Sequence, residues 1–510
     1  MAQLPRLYSF WLVFGLVGAH MHGCTGTASA QDAPAPLRPQ TPGGPPFGIG
    51  GTSDRPGLAL LPQDNDWSFL ANPDRRTEPM DVLRYMPLDA DEDFVLSLSA
   101  YLYAEIESFD DANWGVVPGN DTYVNTRANV IAALSWRDRV RVLAGIKHGG
   151  RFGERDNSAP PSESNDIDLH NTLVEVAAGD ALGGAKKDLL LRTGRMELHY
   201  GDGQLISIRQ GPNARRDFDA VQARYRRGAT IIDAFAAYEV EDTFGAFDDD
   251  TDTDRGTWGV YATTPANVLP GSFDFFYIGK RDLASPTAFG TFDEKRHTVG
   301  VRYWTGPQGV DAAGRLTLDV EFDYQFGPAT PVLDFAGPLD DVDIDAWALA
   351  GRARYGLGGD WDWGVNLAAG ATSGDSDPTD DTVGTFKAPF PPGKYFGETN
   401  PLGPGNLTGG SVGVDMAPTD RLNLSAAALA FWRIEDTDGI YTPGSTLLRP
   451  AAGPSNFIGH EFNVTAAYAL SPAWTLSGEA AYFDVSGDFL ENNLPAEDIG
   501  RIKAVIAYQF

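Results

Sequence analysis

The sequence predicts an all-β fold: a transmembrane antiparallel β-barrel of about eighteen strands, with short periplasmic turns and long extracellular loops. Three observations predict it. Apolar and polar residues alternate with a period of two over runs of about fourteen residues, longer than the five or six usual in soluble sheets. Such runs recur to the C-terminus, and tight turns between them alternate with long polar loops. No uncharged apolar stretch of about twenty residues follows the leader, which excludes a helical membrane protein.

Residues 1–30 read as a signal peptide. Arg6 supplies the positive start, residues 7–19 the apolar core, and Ala28-Ser29-Ala30 a small-residue cleavage site. Met21-His22-Gly23 before Cys24 is a poor lipobox, and the mature chain then has no cysteine for disulfides or thiolate metal sites. Residues 31–60 begin Pro- and Gly-rich and are expected to form a disordered periplasmic segment. Residues 61–93, with Trp67-Ser68-Phe69-Leu70 and Arg84-Tyr85-Met86-Pro87-Leu88, are expected to plug or cover the periplasmic mouth, and residues 94–510 to form the barrel. Acidic residues exceed basic ones by 70 − 39 = 31, which argues against nucleic acid as a partner.

From Phe94, Leu96, Leu98, Leu102 and Ile106 share one face while Ser97, Tyr101, Tyr103, Glu105 and Glu107 share the other. Farther on, Val320, Phe322, Tyr324 and Phe326 alternate with Asp319, Glu321, Asp323 and Gln325. Charges at every second position of an apolar strand call for water on that side, all the way round a closed cylinder. Arg137-Asp138, Arg227-Gly228, Gly358-Gly359, Pro418-Thr419 and Ser471-Pro472 read as tight turns. The polar stretches 109–121, 149–165, 241–256, 281–293, 328–341, 374–407, 435–458 and 485–498 read as the outer loops. Trp136, Tyr225, Tyr303, Tyr355, Trp361, Trp432 and Trp474 suit interfacial girdles, and the chain ends on Tyr508-Gln509-Phe510 like an outer-membrane assembly signal.

The stretch Gly194 to Asp219, GRMELHYGDGQLISIRQGPNARRDFD, joins two basic strands by an Arg-studded loop and reads as the wall of a tube that handles something anionic. Its Arg195, Glu197, Tyr200, Gly201 and Asp202, with Pro212-Asn213-Ala214-Arg215-Arg216 and Phe218-Asp219, resemble the alginate export family of outer-membrane porins. So do Trp67 to Leu70, Asp168-Leu169-His170, Arg296-His297-Thr298, Ala346-Trp347-Ala348, Lys394-Tyr395-Phe396-Gly397 and Gly459-His460-Glu461, in that order. The resemblance implies an eighteen-stranded barrel with an Arg-lined pore through which anionic polysaccharide leaves the periplasm. Where members tend to carry Arg in the first strand, this chain carries Tyr101 and Tyr103.

Strand parity nominates the pore lining: Arg127, Arg141, Lys147, Arg195, Arg224, Arg226, Arg302, Arg352, Arg354, Arg501 and Lys503, with Arg216 in the loop of the family motif. Rings of cations make anion pathways. Glu105, Asp233, Asp274, Asp319, Glu321, Asp323, Glu461 and Glu479 fall on the same face, so cross-strand Arg–carboxylate ladders are the structural alternative. Loop 374–407, around Lys394 and Tyr395, is either an inward gate or an ordinary exposed loop.

No metal or cofactor is expected. In the run Asp248 to Asp254, a calcium loop counted from Asp250 would need Gly at Arg255 and Glu at Tyr261, which leaves weak surface cation binding at most. Gly409-Gly410-Ser411-Val412-Gly413 leads into a strand rather than a helix, and His460-Glu461 lacks the second His of a zincin, so no enzyme is expected. The expected role is passive passage, in the export direction, of an anionic polysaccharide or other anionic solute. An uptake porin for small organic acids or sugars and a non-conducting structural or adhesive barrel are the alternatives. The expected partners are outer-membrane lipid and lipopolysaccharide, the anionic solute, and periplasmic export proteins.

Overall fold

Strand β1 (Phe94–Asp110) shows the rule on which the wall is built. Phe94 and Ile106 stand exposed on its outer face, whereas Tyr103, Glu105 and Glu107 are buried inside. The computed structural model describes residues 58–510 apart from 117–118, 156–158, 267–269, 288–289, 306–314, 334–340, 378, 452–454 and 488–496. All of these belong to the unit Pro36–Phe510. The leader, Cys24 and residues 31–57 of the expected periplasmic segment lie outside the described residues.

Seventeen more spanning strands follow β1. They are β2 (Asp121–Trp136), β3 (Val140–Phe152), β4 (Asn165–Ala177), β5 (Leu189–Met196), β6 (Phe218–Arg227), β7 (Thr230–Glu241), β8 (Asp250–Pro265) and β9 (Ser272–Thr287). After them come β10 (Gly290–Trp304), β11 (Leu316–Leu333), β12 (Val342–Gly358), β13 (Trp363–Thr372), β14 (Leu407–Thr419), β15 (Leu422–Trp432), β16 (Phe457–Ala469), β17 (Trp474–Val485) and β18 (Ile499–Gln509). Each pairs antiparallel with the next, and β18 returns to β1 with Tyr103 opposite Ala507 and Glu107 opposite Lys503. The sheet counts 20 strands because two-residue pieces, Met86–Pro87 and Thr382–Val383, add to β1 and β12. Closure leaves no edge, and in lipid an edge would strand N–H and C=O groups at several kcal/mol each.

Both ends of the barrel sequence fall on the side of the tight turns, as an even strand number requires. The outer face is apolar: Val320, Phe322, Leu349, Val412, Phe462 and Ile502 are exposed. Aromatic pairs mark its periplasmic rim, with Phe94 on Trp136, Trp361 on Trp363 and Trp474 on Tyr508 at centroid separations of 6.3, 6.0 and 4.7 Å.

The interior departs from a uniformly wet lumen. Three segments fold into it: residues 58–66 before the barrel, loop 197–217 and loop 373–406. Leu198, Leu205 and Ile206 of the first loop pack with Phe386 and Phe390 of the second, against Phe235, Phe276 and Ala346 of the wall. Tyr200 stacks between Phe235 and Tyr261 at 4.9 and 5.1 Å. Along β4 to β12 much of the inner face therefore meets protein instead of water. The stretch read as tube wall between Gly194 and Asp219 is strand only at its ends, and its middle is a plug. Alternation reports which face is inside, not what fills the inside. Gly194 permits the departure point: at φ 126°, and with Thr172 O 2.5 Å from where a Cβ would sit, only glycine fits.

Two expected outer loops are shorter than their polarity implied. β8 begins at Asp250 and β9 runs to Thr287, so the ladder continues through polar residues beyond the apolar belt. Beyond lipid, both faces of a strand can be hydrated, and polarity stops marking the strand end.

Candidate functional site: an arginine-gripped plug and a lateral passage

A peptide folded into a barrel brings backbone carbonyls that have no sheet partner, and buried carbonyls need donors. Guanidinium groups, with five N–H donors, supply them. Arg127 on β2 donates from Nε to Asn213 O at 2.5 Å and from Nη2 to Pro212 O at 2.6 Å. Arg216 donates from Nη1 to Ser207 O at 3.1 Å and to Pro391 O at 3.0 Å, tying the two loops together. On β10, Arg296 reaches Thr385 O at 3.2 Å, and on β3 Arg141 reaches the carbonyls of Asn65, at 2.8 Å, and Gln63. Arg501 on β18 donates to Glu398 O.

The other predicted lining residues meet carboxylates. Lys147 lies 2.8 Å from Asp242 and 2.9 Å from Asp249. Arg302 pairs with Asp319 and Asp274, Arg354 with Asp415, and Arg352 with Asp202 of the plug. Burial pushes the Asp202 carboxyl up, but the Arg352 and Arg302 guanidiniums outweigh it and hold it at about 2. Arg224 bridges Asp233 and Asp64. Arg226 is exposed at the periplasmic end of β6. Arg195 stands near the outer end of β5, on the face opposite Arg192, and pairs with Asp219 at 3.1 Å. Lys394 meets Glu398, and the Tyr395 hydroxyl donates to Gln204 Oε1 at 3.2 Å, joining loop 373–406 to loop 197–217.

A cavity of about 980 Å³ lies in the interior along β1, β2 and β16 to β18. Its lining includes Ala469, Pro472 and Phe510 near the periplasmic rim and Ala112, Asn113 and Asp121 at the extracellular end. Of the predicted set it takes Arg127 and Lys394, together with Arg501 and Lys503. It adds Arg151, which lies 4.0 Å over the Tyr123 ring, and Arg215. Their signals were present in the sequence: Arg151 shares the parity of Arg141 and Lys147 but fell in a stretch read as loop, and Arg215 stood in the family motif.

The charged lining is balanced. Arg127, Arg151, Arg215, Lys394, Arg501 and Lys503 face Glu105, Glu107, Asp121, Glu154, Glu163 and Glu479. The formal net charge of −31 therefore resides elsewhere in the chain. Within the cavity, Lys503, Lys394 and Arg501 converge on Glu479 at 3.1, 3.9 and 4.0 Å. Tyr101, Tyr103, Thr465, Thr475 and Ser477 supply uncharged polar lining between the charges.

Among the described residues, Asp168, Asp248 and Asp249 are the one group spaced to hold a metal ion. Asp168 Oδ2 already accepts the Asp248 and Asp249 N–H groups, and Lys147 sits on Asp249, so the group is internally satisfied. Ser411 lies within strand β14, and His460, on β16, pairs with Asp484 at 3.0 Å.

Residues 94–500 match the family model described as alginate export. No curated protein matches the chain at the sequence level. Among solved structures, the barrel is similar to OccAB1 of Acinetobacter baumannii (13% identity, 84% of this chain and 100% of that one, TM-score 0.52). It is also similar to a BenF-like porin of Pseudomonas fluorescens Pf-5 (11%, 81% and 98%, TM-score 0.52) and to OpdK of Pseudomonas aeruginosa, solved with vanillate (12%, 81% and 98%, TM-score 0.50). At these identities the likeness is one of fold.

Proposed function

Because the chain belongs to the alginate export family of outer-membrane channels, we propose that it passes an anionic saccharide by diffusion along the β1, β2 and β16 to β18 side of its lumen. The protein is an integral outer-membrane barrel. The observation that carries the reading is the lateral cavity, where Lys394, Arg501 and Lys503 gather round Glu479 while each also pairs with a second carboxylate, Glu398, Glu107 and Glu105 in turn, amid hydroxyl-bearing side chains. A sugar ring needs hydroxyl partners, and a uronate carboxylate needs cations that attract it without trapping it. Acids interleaved with the cations keep each cation partly satisfied, so an arriving carboxylate exchanges with a resident one rather than being held.

Direction in a passive channel follows the gradient, and export is the reading that the family supports. The cavity's restriction to one side of the plug favours a second reading, uptake of small organic acids or sugars; the vanillate in OpdK is such an acid.

Purified protein in planar bilayers is expected to show anion-over-cation selectivity that falls when Lys394, Arg501 and Lys503 are changed together to Gln. Wild-type cation selectivity would overturn the proposal, and absence of any current would indicate a non-conducting barrel. Liposomes loaded with oligogalacturonate or with vanillate then separate the two solute classes by which of them leaks.

A further inference from the structure

The filled side of the lumen holds a cluster whose charges do not balance without a visitor. Arg141 on β3, Arg192 on β5 and Arg224 on β6 all lie close to the periplasmic ends of their strands. The wall offers them two carboxylates: Glu175, at 3.3 Å from Arg141 and 2.7 Å from Arg192, and Asp233, at 2.8 Å from Arg224. Three guanidiniums against two carboxylates leave one positive charge, and a buried charge without a partner is costly. The missing anion comes from outside the barrel wall. Asp64, on the segment that precedes β1, places Oδ1 2.7 Å from Arg192 Nη1 and 2.9 Å from Arg224 Nη1, with Oδ2 2.9 Å from Arg224 Nη1.

The segment that carries Asp64 is held by polar contacts along its middle and by Leu58, which packs against the cluster of Trp67, Leu70, Tyr85 and Val95. Gln63 donates to Glu197 O at 2.6 Å, Arg141 takes the Gln63 and Asn65 carbonyls, and Arg215 takes Leu60 O at 3.2 Å. Between residues 58 and 66, Leu61 is the one buried apolar side chain, and no strand pairing ties these residues to the barrel. The same segment walls the lateral passage through Leu58, Ala59, Leu60, Pro62 and Asn65. Any anion able to satisfy the arginines as well as Asp64 does would therefore compete for a site whose occupant is tied to the wall by no strand pairing and lines the passage.

We propose that Arg192 and Arg224 form a carboxylate-binding site just inside the periplasmic mouth, filled in the resting chain by Asp64 and, in transport, by the carboxylate of a hexuronate that displaces it. The site recognises the carboxylate by paired guanidinium donors, the geometry that such groups bind best. Displacement frees residues 58–66 and widens the passage that they line, so the solute relieves its own obstruction. This inference rests on the anionic-saccharide reading above and adds a first binding step to it.

The test is single-channel recording on the full-length protein with Asp64→Asn and Asp64→Arg. Asp66→Asn serves as the control, since Asp66 meets Lys187 on an exposed part of the same segment. Both Asp64 variants are expected to conduct at least about twofold more than wild type, as loss of an obstruction in the pore requires, with the control unchanged. Trigalacturonate added on the side of the short turns should block Asp64→Asn at a concentration on the order of tenfold lower than wild type, because its intramolecular competitor is gone. Adding Arg192→Ala and Arg224→Ala should remove that gain. Wild-type conductance and unchanged block in both Asp64 variants would overturn the inference while leaving an anion-selective channel standing, whereas a cation-selective wild type would overturn the functional reading itself.

Discussion

Arg501 on β18 meets Glu107 on β1 at 2.5 Å, across the seam where the last strand closes on the first. Both side chains are largely buried on the lumen side, at 11% and 6% exposure, and Arg501 also grips Glu398 of the inward loop. One side chain therefore serves closure of the cylinder, attachment of the plug and the charge of the passage.

Removing one member of this buried pair leaves the other uncompensated. Arg501→Ala is expected to destabilise the barrel by roughly 3–5 kcal/mol, and the double change Arg501→Met with Glu107→Met by less, because it leaves no orphan charge. Urea unfolding in detergent, followed by the loss of the fast-migrating folded band in electrophoresis, measures both.

Arg127 holds loop 197–217 through three carbonyls, those of Gln210, Pro212 and Asn213. Arg127→Ala should release that loop and raise single-channel conductance severalfold while the barrel keeps its folded mobility. Arg127→Lys, which lacks the fork of donors, should fall between the two.

Gly393 and Gly211 lie backbone to backbone where the two inward loops touch, with the place for a Gly211 Cβ 3.0 Å from Gly393 C. A Cβ on Gly393 would overlap Pro212 Cδ. Gly393→Ala is expected to part the loops and increase conductance without lowering the unfolding midpoint, since no strand residue changes. A conductance equal to wild type would show that the loops accommodate the methyl group by sliding.

Asp375, in the outer loop 373–406, has its carboxyl pushed up to about 6 by burial, with repulsion from Asp438 adding to it. A carboxyl raised in the fold contributes stability that is complete below its unfolded value of 3.8 and is lost as pH rises through about 6. Hydrogen exchange of this loop, corrected for the base catalysis that speeds every free amide, should therefore lose protection between pH 4 and 7, and Asp375→Asn should flatten that loss.

On the outside, Leu349 faces lipid at mid-strand in β12 with 47% of its surface exposed. Leu349→Arg is expected to cost roughly 2–4 kcal/mol of barrel stability, the charge of a cation at the bilayer midplane. The same substitution at Tyr355, near the periplasmic rim, should cost about 0–1 kcal/mol.

The amino-acid sequence by itself determined the wall. Alternation at β1 and β11 assigned inner and outer faces, tight turns such as Arg227 to Thr230 set the antiparallel order, and an even number of strands put both ends on one side. These are local properties, because in a barrel each residue's environment follows from its parity and its depth. Only the tertiary structure decided what the inner face touches. Arg127 and Arg354 look alike in sequence, yet one clasps three carbonyls of a loop more than eighty positions away and the other a carboxylate two strands along the wall. Asp64, Arg192 and Arg224 carry no shared motif, and their meeting depends on a segment threading back through the mouth that it precedes. Periodicity records a side chain's direction; its partner, and so its function, depends on long-range contacts that no period encodes.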